Sequence, residues 1–180
     1  IDKKIWDMNI INIRDYTEDK HKTVDDTPYG GGSGMVMRAD VIANSLDKNL
    51  EPNEKVYYLS PRGKLLNQNI TKKISNEKRL NILCGHFEGV DQRVLDNRNI
   101  EEISIGDYII SGGETACYIV LDSVLRLLPG VLGNKDSIVD ESFENGLLEY
   151  PQYTKPQIWQ KNKVPEVLLS GDHAKIKDWR

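Results

Sequence analysis

The sequence contains little cysteine. Cys84 and Cys117 are the only two among its 180 residues, and neither belongs to a Cys-x-x-Cys pair or a Cys/His cluster. Disulfide-rich secreted domains and structural zinc modules need more cysteines at closer spacing, so the sequence excludes both classes. Because each cysteine lies within an apolar run, we predict two buried, reduced thiols and no metal site.

The sequence also has no long hydrophobic run. Its most apolar stretch, residues 117–132, is interrupted by Asp122, Arg126, Pro129 and Gly130, which a membrane-spanning helix would accommodate only at high cost. The first residues have neither the basic start nor the apolar centre of a signal peptide, and they lack an initiator methionine. We therefore expect a cytoplasmic protein with no membrane partner, and a chain that is part of a longer one.

Positive charge is scarce over most of the chain. The 24 Lys and Arg residues face 28 Asp and Glu residues, which gives a net charge of −4. A protein that holds nucleic acid over its whole surface needs clustered basic side chains. Residues 151–180, however, contain six Lys/Arg and three Asp/Glu, so this segment carries +3 and the first 150 residues carry −7. A polyanion is therefore expected at the C-terminal part.

Short apolar runs that end in turn residues predict buried parallel strands. These runs are residues 56–59, 81–84 and 108–110, with residues 8–13 as a fourth candidate. Apolar residues at helical spacing predict helices between and after the strands. The predicted helices cover residues 39–46, 64–74 and 114–128. Strands that alternate with helices indicate an α/β fold.

The pattern changes after Gly133. Residues 134–141 are polar and show no period, which is typical of a linker. Residues 142–180 contain three prolines and read as the start of a second, helical domain. The predicted organisation is therefore a domain over 1–133, a linker over 134–141 and the start of another domain over 142–180.

Glycine is concentrated in loops that could approach a ligand. The turns at residues 60–61, 85–89 and 111–113 follow the three predicted strands, and ligands of open α/β sheets bind at the carboxyl ends of the strands. We predict that these turns share one site. The glycine-rich loop at 29–34 fits neither a P-loop nor a dinucleotide fingerprint. Its residues alone leave open a plain surface loop or a substrate loop.

Three charged residues near the predicted linker are ambiguous on pattern alone. Asp140 and Glu141 form an acidic pair, which is typical of a solvated linker but also suits acid-base chemistry. Arg126 lies near the end of a predicted helix, where a cation commonly interacts with the helix dipole. Both interpretations remain open for each residue.

Five segments together resemble one known family. They are His21-Lys-Thr-Val-Asp-Asp-Thr-Pro-Tyr-Gly-Gly-Gly-Ser-Gly-Met35, Tyr58-Leu-Ser-Pro61, Cys84-Gly-His-Phe-Glu-Gly-Val-Asp-Gln-Arg-Val94, Ser104-Ile-Gly-Asp-Tyr-Ile-Ile-Ser-Gly-Gly-Glu114 and Leu168-Leu-Ser-Gly-Asp-His173. In this order and spacing they closely resemble the bacterial tRNA (guanine-N1)-methyltransferases of the SPOUT superfamily. The resemblance runs from about residue 10 to residue 180.

The resemblance implies a fold that spacing cannot show. It implies a SPOUT-type α/β domain whose parallel sheet ends in a C-terminal trefoil knot, made by the turns after the three strands. The start of a small helical tRNA-binding domain would follow. It also implies that one strand and one helix precede Ile1, and that most of the C-terminal domain follows Arg180. The resemblance also implies a homodimer in which each active site is shared between the two subunits.

The resemblance further implies methylation, by S-adenosylmethionine, of N1 of the guanine 3′-adjacent to the anticodon in tRNA, with Mg²⁺ as a possible cofactor. The implied cofactor-binding residues lie in the three turns and the strand ends before them. They are Tyr58, Leu59, Ser60, Pro61, Gly85, Glu88, Ser104, Ile105, Gly106, Tyr108, Ile110, Gly112 and Gly113.

The chemistry needs a base and a cation, because guanine N1 keeps its proton at neutral pH and charge builds on O6 during transfer. By resemblance, Glu141 is the base and Arg126 the cation, with the adjacent Asp140 as the alternative base. Ser137 would contact RNA, and the loop at 25–34 would lie beside the anticodon. The alternatives are a noncatalytic RNA-binding module of the same fold and a ribose 2′-O-methyltransferase, which would use an Arg base and no carboxylate.

Overall fold

The structure is a computed structural model that describes residues 5–132, 142–143 and 148–180. The chain divides into two compact units, Ile1–Gly133 and Asn134–Arg180. The first unit is a mixture of helices and a parallel sheet, which confirms the predicted α/β class. In the part of the chain that the structure describes, no helix is long and apolar enough to cross a membrane.

A three-stranded parallel sheet forms the centre of the first unit. Strand β3 (Val56–Leu65) lies between β4 (Asn81–Leu83) and β5 (Ile100–Ser104), and both neighbours run parallel to it. The first five residues of β3 are buried. A central parallel strand is covered on both faces, which is why this segment is a continuous apolar run rather than an alternating one.

Helices cover both faces of this sheet. Successive side chains of a strand point to opposite faces, so Tyr58 packs into one core cluster and Tyr57 into another. Helices α1 (Ala39–Asn49) and α3 (Gln92–Asn97) pack on the Tyr58 side, whereas α2 (Gln68–Ser75) and α4 (Gly113–Leu125) pack on the Tyr57 side. Both faces of β3 are therefore buried over its first five residues.

The glycine-rich loop is closed by two short strands. Strand β1 (Asp25–Asp26) pairs with β2 (Val36–Met37) in antiparallel fashion, so the intervening segment is held as a loop. Met37 also forms an isolated parallel bridge with Val90, just beyond the turn that follows β4. The base of the glycine-rich loop is thereby anchored against the turn after β4.

The third predicted strand is wrong. Residues 108–110 form an exposed loop, and the third strand is instead β5 at Ile100–Ser104. Two acidic residues, Glu101 and Glu102, obscure this strand in the sequence. Both are paired with cations in the structure, Glu101 with Lys55 and Glu102 with Arg62. These two positions can lie in the sheet without apolar side chains, because each carboxylate is paired with a cation.

The predictions of a fourth strand and of two buried thiols are also wrong. Residues 8–12 form no strand, and a 3₁₀ helix (Ile13–Tyr16) follows them. Their apolar side chains are largely exposed, with Ile10 at 79%, so their alternation does not reflect packing against a sheet. Cys84 and Cys117 are each half-buried rather than fully buried.

The predicted helices exist, but their ends differ. Helix α1 continues three residues past the predicted 39–46, and α4 begins one residue early and ends at Leu125. Helix α2 begins at Gln68 rather than 64, because β3 extends to Leu65 and Asn67 caps the helix by accepting a hydrogen bond from the Ile70 amide at 3.0 Å. Helix α3, capped by Asp91, has no counterpart among the predicted helices.

The second unit contains a small hairpin and two short helices in its described residues. Strands β6 (Ile158–Trp159) and β7 (Asn162–Lys163) pair in antiparallel fashion, and α5 (Glu166–Leu169) and α6 (His173–Trp179) follow. The ring of Trp179 contacts the rings of Tyr150 and Tyr153 at centroid distances of 6.4 and 6.2 Å. These contacts tie the end of α6 to the segment before the hairpin.

A charged network lies at the amino ends of the strands. The Lys55 Nζ is 2.6 Å from the Glu101 carboxylate and donates to the Tyr57 hydroxyl at 2.6 Å, and that hydroxyl donates to Glu77 at 2.6 Å. Burial and the bond to Glu77 raise the pKa of Tyr57 to about 12. The hydrogen bond from Lys55 holds the pKa of Glu101 below its usual value.

Because its pKa is lower in the folded state, Glu101 stabilises the fold above its ordinary pKa of 4.5, and this stabilisation is lost as the pH falls. We expect Glu101→Gln to reduce the free energy of unfolding by about 1 kcal/mol at pH 7. The variant should also lose less stability than the wild type on acidification from pH 6. Urea denaturation at a series of pH values measures both effects. Glu18→Gln, at an exposed position, is the control, and equal acid dependence of Glu101→Gln and wild type would contradict the assignment.

Candidate active site

The end of β4 and the start of α4 meet through backbone contacts at the carboxyl edge of the sheet. The Gly113 amide, at the start of α4, donates a hydrogen bond to the Gly85 carbonyl, just after β4, at 2.8 Å. A Cβ atom placed on Gly113 would lie 2.7 Å from the Cα of Cys84. Any larger residue would push the two segments apart. The turns after β4 and before α4 therefore form one continuous surface.

Tyr58 connects this surface to the central strand. Its side chain is 5% exposed, and its ring lies where a Cβ on Gly85 would be, 2.7 Å from the Cε2 atom. Burial raises the pKa of Tyr58, although a hydrogen bond from the Val90 amide opposes this effect. The hydroxyl thus stays protonated and bound under the turn at 85–89. Tyr58, Gly85 and Gly113 therefore lie together in the folded chain.

The loop after β5 supplies a partly exposed rim. The Ser104 hydroxyl accepts a hydrogen bond from the Gly106 amide at 3.2 Å, and the Tyr108 hydroxyl donates to the Ile105 carbonyl at 3.3 Å. The ring of Tyr108 folds back over Gly106, into the place that a Cβ atom would take, and the φ of Gly106 is +151°. Tyr108 is 53% and Ile110 36% exposed. The loop therefore presents apolar side chains and backbone groups to solvent at the edge of the site.

The glycine-rich loop meets the turn after β4. The Glu88 amide donates to the Met35 carbonyl at 2.9 Å, and the Met37 amide donates to the Gly89 carbonyl at 2.9 Å. The Glu88 side chain occupies the place of a Cβ on Gly34, whose φ is +86°. The loop thus lies beside Glu88, one of the predicted cofactor residues.

The predicted turn at 60–61 falls inside the bounds of β3, at the point where its pairing with β5 is interrupted after Leu59. Leu59 and Ser60 are buried, while Pro61 is exposed. The pairing with β5 changes register between Leu59 and Lys64, and Gly63 allows this by packing against the backbone of β5 without a Cβ. The irregular strand nevertheless brings Pro61 to the same edge as the other strand ends.

Two polar side chains at this edge were not among the predicted site residues. The Nε2 atom of His86 lies 2.6 Å from the Glu114 carboxylate, and the two side chains are 44% and 57% exposed. Partial burial opposes ionisation of Glu114, but the hydrogen bond from His86 keeps its pKa below the usual value. In the sequence, Glu114 reads only as a residue at the positive end of a helix dipole. Its pairing with His86 depends on the tertiary contact.

Arg126 lies far from this cluster along α4. It caps the carboxyl end of α4, and its amide donates to the Asp122 carbonyl at 3.3 Å. Gly113, in the site, begins the same helix. With a rise of 1.5 Å per residue, the two backbone positions are about 20 Å apart. A guanidinium side chain cannot span that distance along the helix.

Three predicted site residues, Glu141, Asp140 and Ser137, lie outside the described residues. Among the residues that are described, no group of three or more His, Cys, Asp or Glu side chains is placed to hold a metal ion. The described site is therefore built from glycine backbone, Tyr58, Ser104, the rim of Tyr108 and Ile110, and the His86–Glu114 pair.

Comparison with known proteins gives one consistent family. A family model described as tRNA (Guanine-1)-methyltransferase TrmD matches residues 1–180. The chain is 68% identical over 177 residues to the tRNA (guanine-N(1)-)-methyltransferase of Pelagibacter ubique, which covers 98% of this chain and 78% of the relative. Identity is 56% to the protein of that name from Wolbachia pipientis subsp. Culex pipiens, covering 100% and 79%, and 52% to that of Ehrlichia canis, covering 100% and 78%. This chain therefore belongs to the tRNA (guanine-1)-methyltransferase family.

Proposed function

We propose that this protein methylates N1 of the guanine 3′-adjacent to the anticodon in tRNA, with S-adenosylmethionine as the methyl donor. Its family membership makes it a tRNA (guanine-N1)-methyltransferase. The observation that carries the finer proposal is the contact of Gly113 with Gly85 under which Tyr58 is buried. It joins the end of β4 to the start of α4 at the carboxyl edge of the sheet, where α/β folds bind their ligands.

The residues at this edge suit the proposed donor. Gly85, Gly106 and Gly112 are partly exposed, so their backbone groups can bond to the polar parts of a nucleoside and an amino acid. The exposed rings and side chains of Tyr108 and Ile110 can cover its apolar parts. When bound, S-adenosylmethionine supplies a methyl group on a sulfonium. A trefoil knot in these turns, as in the SPOUT superfamily, belongs to the same proposal.

The chain must remove one proton and stabilise one developing charge. We assign proton removal from guanine N1 to the Glu141 carboxylate, and stabilisation of O6 to the Arg126 guanidinium, whose planar donors suit an oxyanion. Ser137 would contact the RNA, and the glycine-rich loop, which lies beside Glu88, would approach the anticodon. Mg²⁺ remains a possible cofactor of the reaction.

The position of Arg126 supports a homodimer with shared active sites. If Arg126 acts on a guanine held near Gly113, the length of α4 requires that it come from a second subunit. The exposed apolar side chains of Tyr118 and Ile119 on α4 are available for such an interface. We further propose a cytoplasmic protein whose second unit, after a linker at 134–141, begins a helical tRNA-binding domain. Its net positive charge over 151–180 fits that role.

The proposed reaction can be tested by incubating full-length protein with labelled S-adenosylmethionine and two tRNA transcripts. One transcript carries guanine next to the anticodon, and the other carries adenine there. We expect label only in the first, recovered after digestion as N1-methylguanosine. Label in a 2′-O-methylated nucleoside would favour the ribose methyltransferase, and tRNA binding without label would favour the noncatalytic module. The assay with and without Mg²⁺ tests the metal requirement.

Loss of the Arg126 guanidinium should slow methyl transfer by a factor of about 10²–10³. Arg126→Lys should recover only part of this rate, because it keeps the charge but not the planar donors. The sharing of sites is tested by co-expressing Arg126→Ala with Gly113→Val subunits. If the sites are shared, random mixed dimers leave about a quarter of all sites intact. No recovery above the single variants would mean that Arg126 does not act across a dimer.

Glu141→Gln should lower the single-turnover rate by roughly 10²–10⁴-fold, because the amide cannot accept the N1 proton. Binding of S-adenosylmethionine, measured by calorimetry, should stay near the wild-type value. Glu141→Asp should retain more activity, since it keeps a carboxylate. Asp140→Asn is the matched control and should have little effect. An inactive Asp140→Asn with an active Glu141→Gln would move the base to Asp140.

A further inference from the structure

The hairpin of the second unit lies in a segment that combines aromatic and basic side chains. Residues 150–165, which include strands β6 and β7, contain three lysines and no aspartate or glutamate. The rings of Tyr150 and Tyr153 contact Trp179, whereas the Trp159 side chain is 62% exposed. An exposed indole ring forgoes the free energy of burial. Its place in a basic, acid-free segment therefore indicates a binding surface for a polyanion.

The strand register places two amide side chains beside the Trp159 ring. Trp159 lies opposite Asn162, and the Val164 amide donates a hydrogen bond to the Gln157 carbonyl at 3.1 Å, which continues the same register. Opposed residues share a face, and successive residues of a strand alternate between faces. Gln157, Trp159 and Asn162 therefore lie on one face, and all three are exposed. We call these three residues the Trp159 face.

The Trp159 face suits an unpaired nucleobase. An indole ring offers a flat surface on which a base of any kind can stack. The side-chain amides of Gln157 and Asn162 each have an acceptor oxygen and a donor NH₂ group, which match the polar edges of bases. In a double helix a base is already stacked and paired, so only an unpaired base can use the ring and the amides together.

Lysines flank this face at the tip of the hairpin and on its other side. Lys163 lies opposite Ile158, on the face that alternates with the Trp159 face. Gln160 and Lys161 form the turn, with φ values of +46° and +72°. Such a two-residue turn is adopted most easily by asparagine and glycine, so the chain keeps two longer side chains there at a conformational cost. The ammonium groups of Lys161 and Lys163 suit the phosphates next to a base stacked on Trp159.

We propose that the hairpin β6–β7 binds one unpaired nucleotide of the tRNA. The base stacks on Trp159, and its edge forms hydrogen bonds with Gln157 and Asn162. Lys161 and Lys163 bind phosphates of the same strand, and the net charge of +3 over 151–180 attracts the RNA to this unit. The identity of the RNA as tRNA rests on the proposed function. The second unit thereby recognises an unpaired base in addition to attracting a polyanion.

Stacking is tested by the binding of a labelled tRNA transcript to the full-length protein, measured by fluorescence anisotropy. Trp159→Ala should weaken binding roughly 5- to 150-fold, and Trp159→Phe should restore part of the affinity, because its ring still stacks. Ile158→Ala is the matched control, since Ile158 is 56% exposed on the opposite face of the same hairpin. It should bind like the wild type, and all three variants should keep the wild-type melting temperature.

Three results of this measurement would overturn the proposal. One is equal affinity of Trp159→Ala and the wild type. Another is a loss of the same size in Ile158→Ala, which would mean that the hairpin as a whole, and not the Trp159 face, is needed. The third is a lower melting temperature of Trp159→Ala in parallel with its lost affinity, which would mean that the ring packs within the protein.

A fully paired RNA stem separates stacking from attraction between charges. Trp159→Ala should bind the stem as well as the wild type does, because a paired base cannot stack on the ring. Lys161→Gln should weaken the binding of both RNAs and reduce the slope of log affinity against log salt concentration by about 1. An equal effect of Trp159→Ala on the stem and on tRNA would refute the assignment to an unpaired base.

The occupant of the Trp159 face is identified by a photo-reactive benzophenone amino acid at position 159 of the full-length protein. It should cross-link to an unpaired nucleotide of the tRNA, whereas the same group at position 158 should not. A cross-link from position 159 only to protein, within the chain or to a second copy, overturns the proposal. Neither measurement requires methyl transfer. If the wild type binds tRNA without methylating it, the proposed function fails, and binding and cross-linking still decide the role of the hairpin.

Discussion

The candidate site depends on one close backbone contact, the 2.8 Å hydrogen bond from the Gly113 amide to the Gly85 carbonyl. It joins the start of α4 to the end of β4, and the space for it exists because neither residue has a side chain. Tyr58 lies beneath this contact and ties it to the central strand. Because Gly85 and Gly113 have no Cβ atoms, the backbone of the turn after β4 and that of the start of α4 can approach each other above Tyr58.

Helix α4 carries this constraint to the rest of the molecule. Its first residue lies in the site, Cys117 lies one turn further along, and Arg126 caps its far end about 20 Å away. A rigid helix of this length keeps Arg126 far from Gly113 along the chain. The sharing of sites proposed above follows from this separation.

The two edges of the sheet are specialised in different ways. At the amino edge, Lys55, Glu101, Glu77 and Tyr57 form a partly buried network in which every charge has a partner, so this edge contributes to stability. At the carboxyl edge, glycines and short turns leave backbone groups exposed, and the polar pair His86 and Glu114 faces solvent. Stability and ligand access are therefore provided by opposite ends of the same three strands.

Local pattern was enough to determine the α/β class, the strands at 56–59 and 81–84, and the helix over most of 114–128, because continuous burial or helical spacing is visible in a short window. The motif order was enough to indicate the family. It was not enough for the strand at Ile100–Ser104, whose glutamates are tolerated because Lys55 and Arg62, distant in sequence, neutralise them. Nor could it place His86 beside Glu114, or Arg126 far from Gly113. Each of these depends on which segments the packed sheet and helices bring together, and such long-range distances exist only in the folded chain.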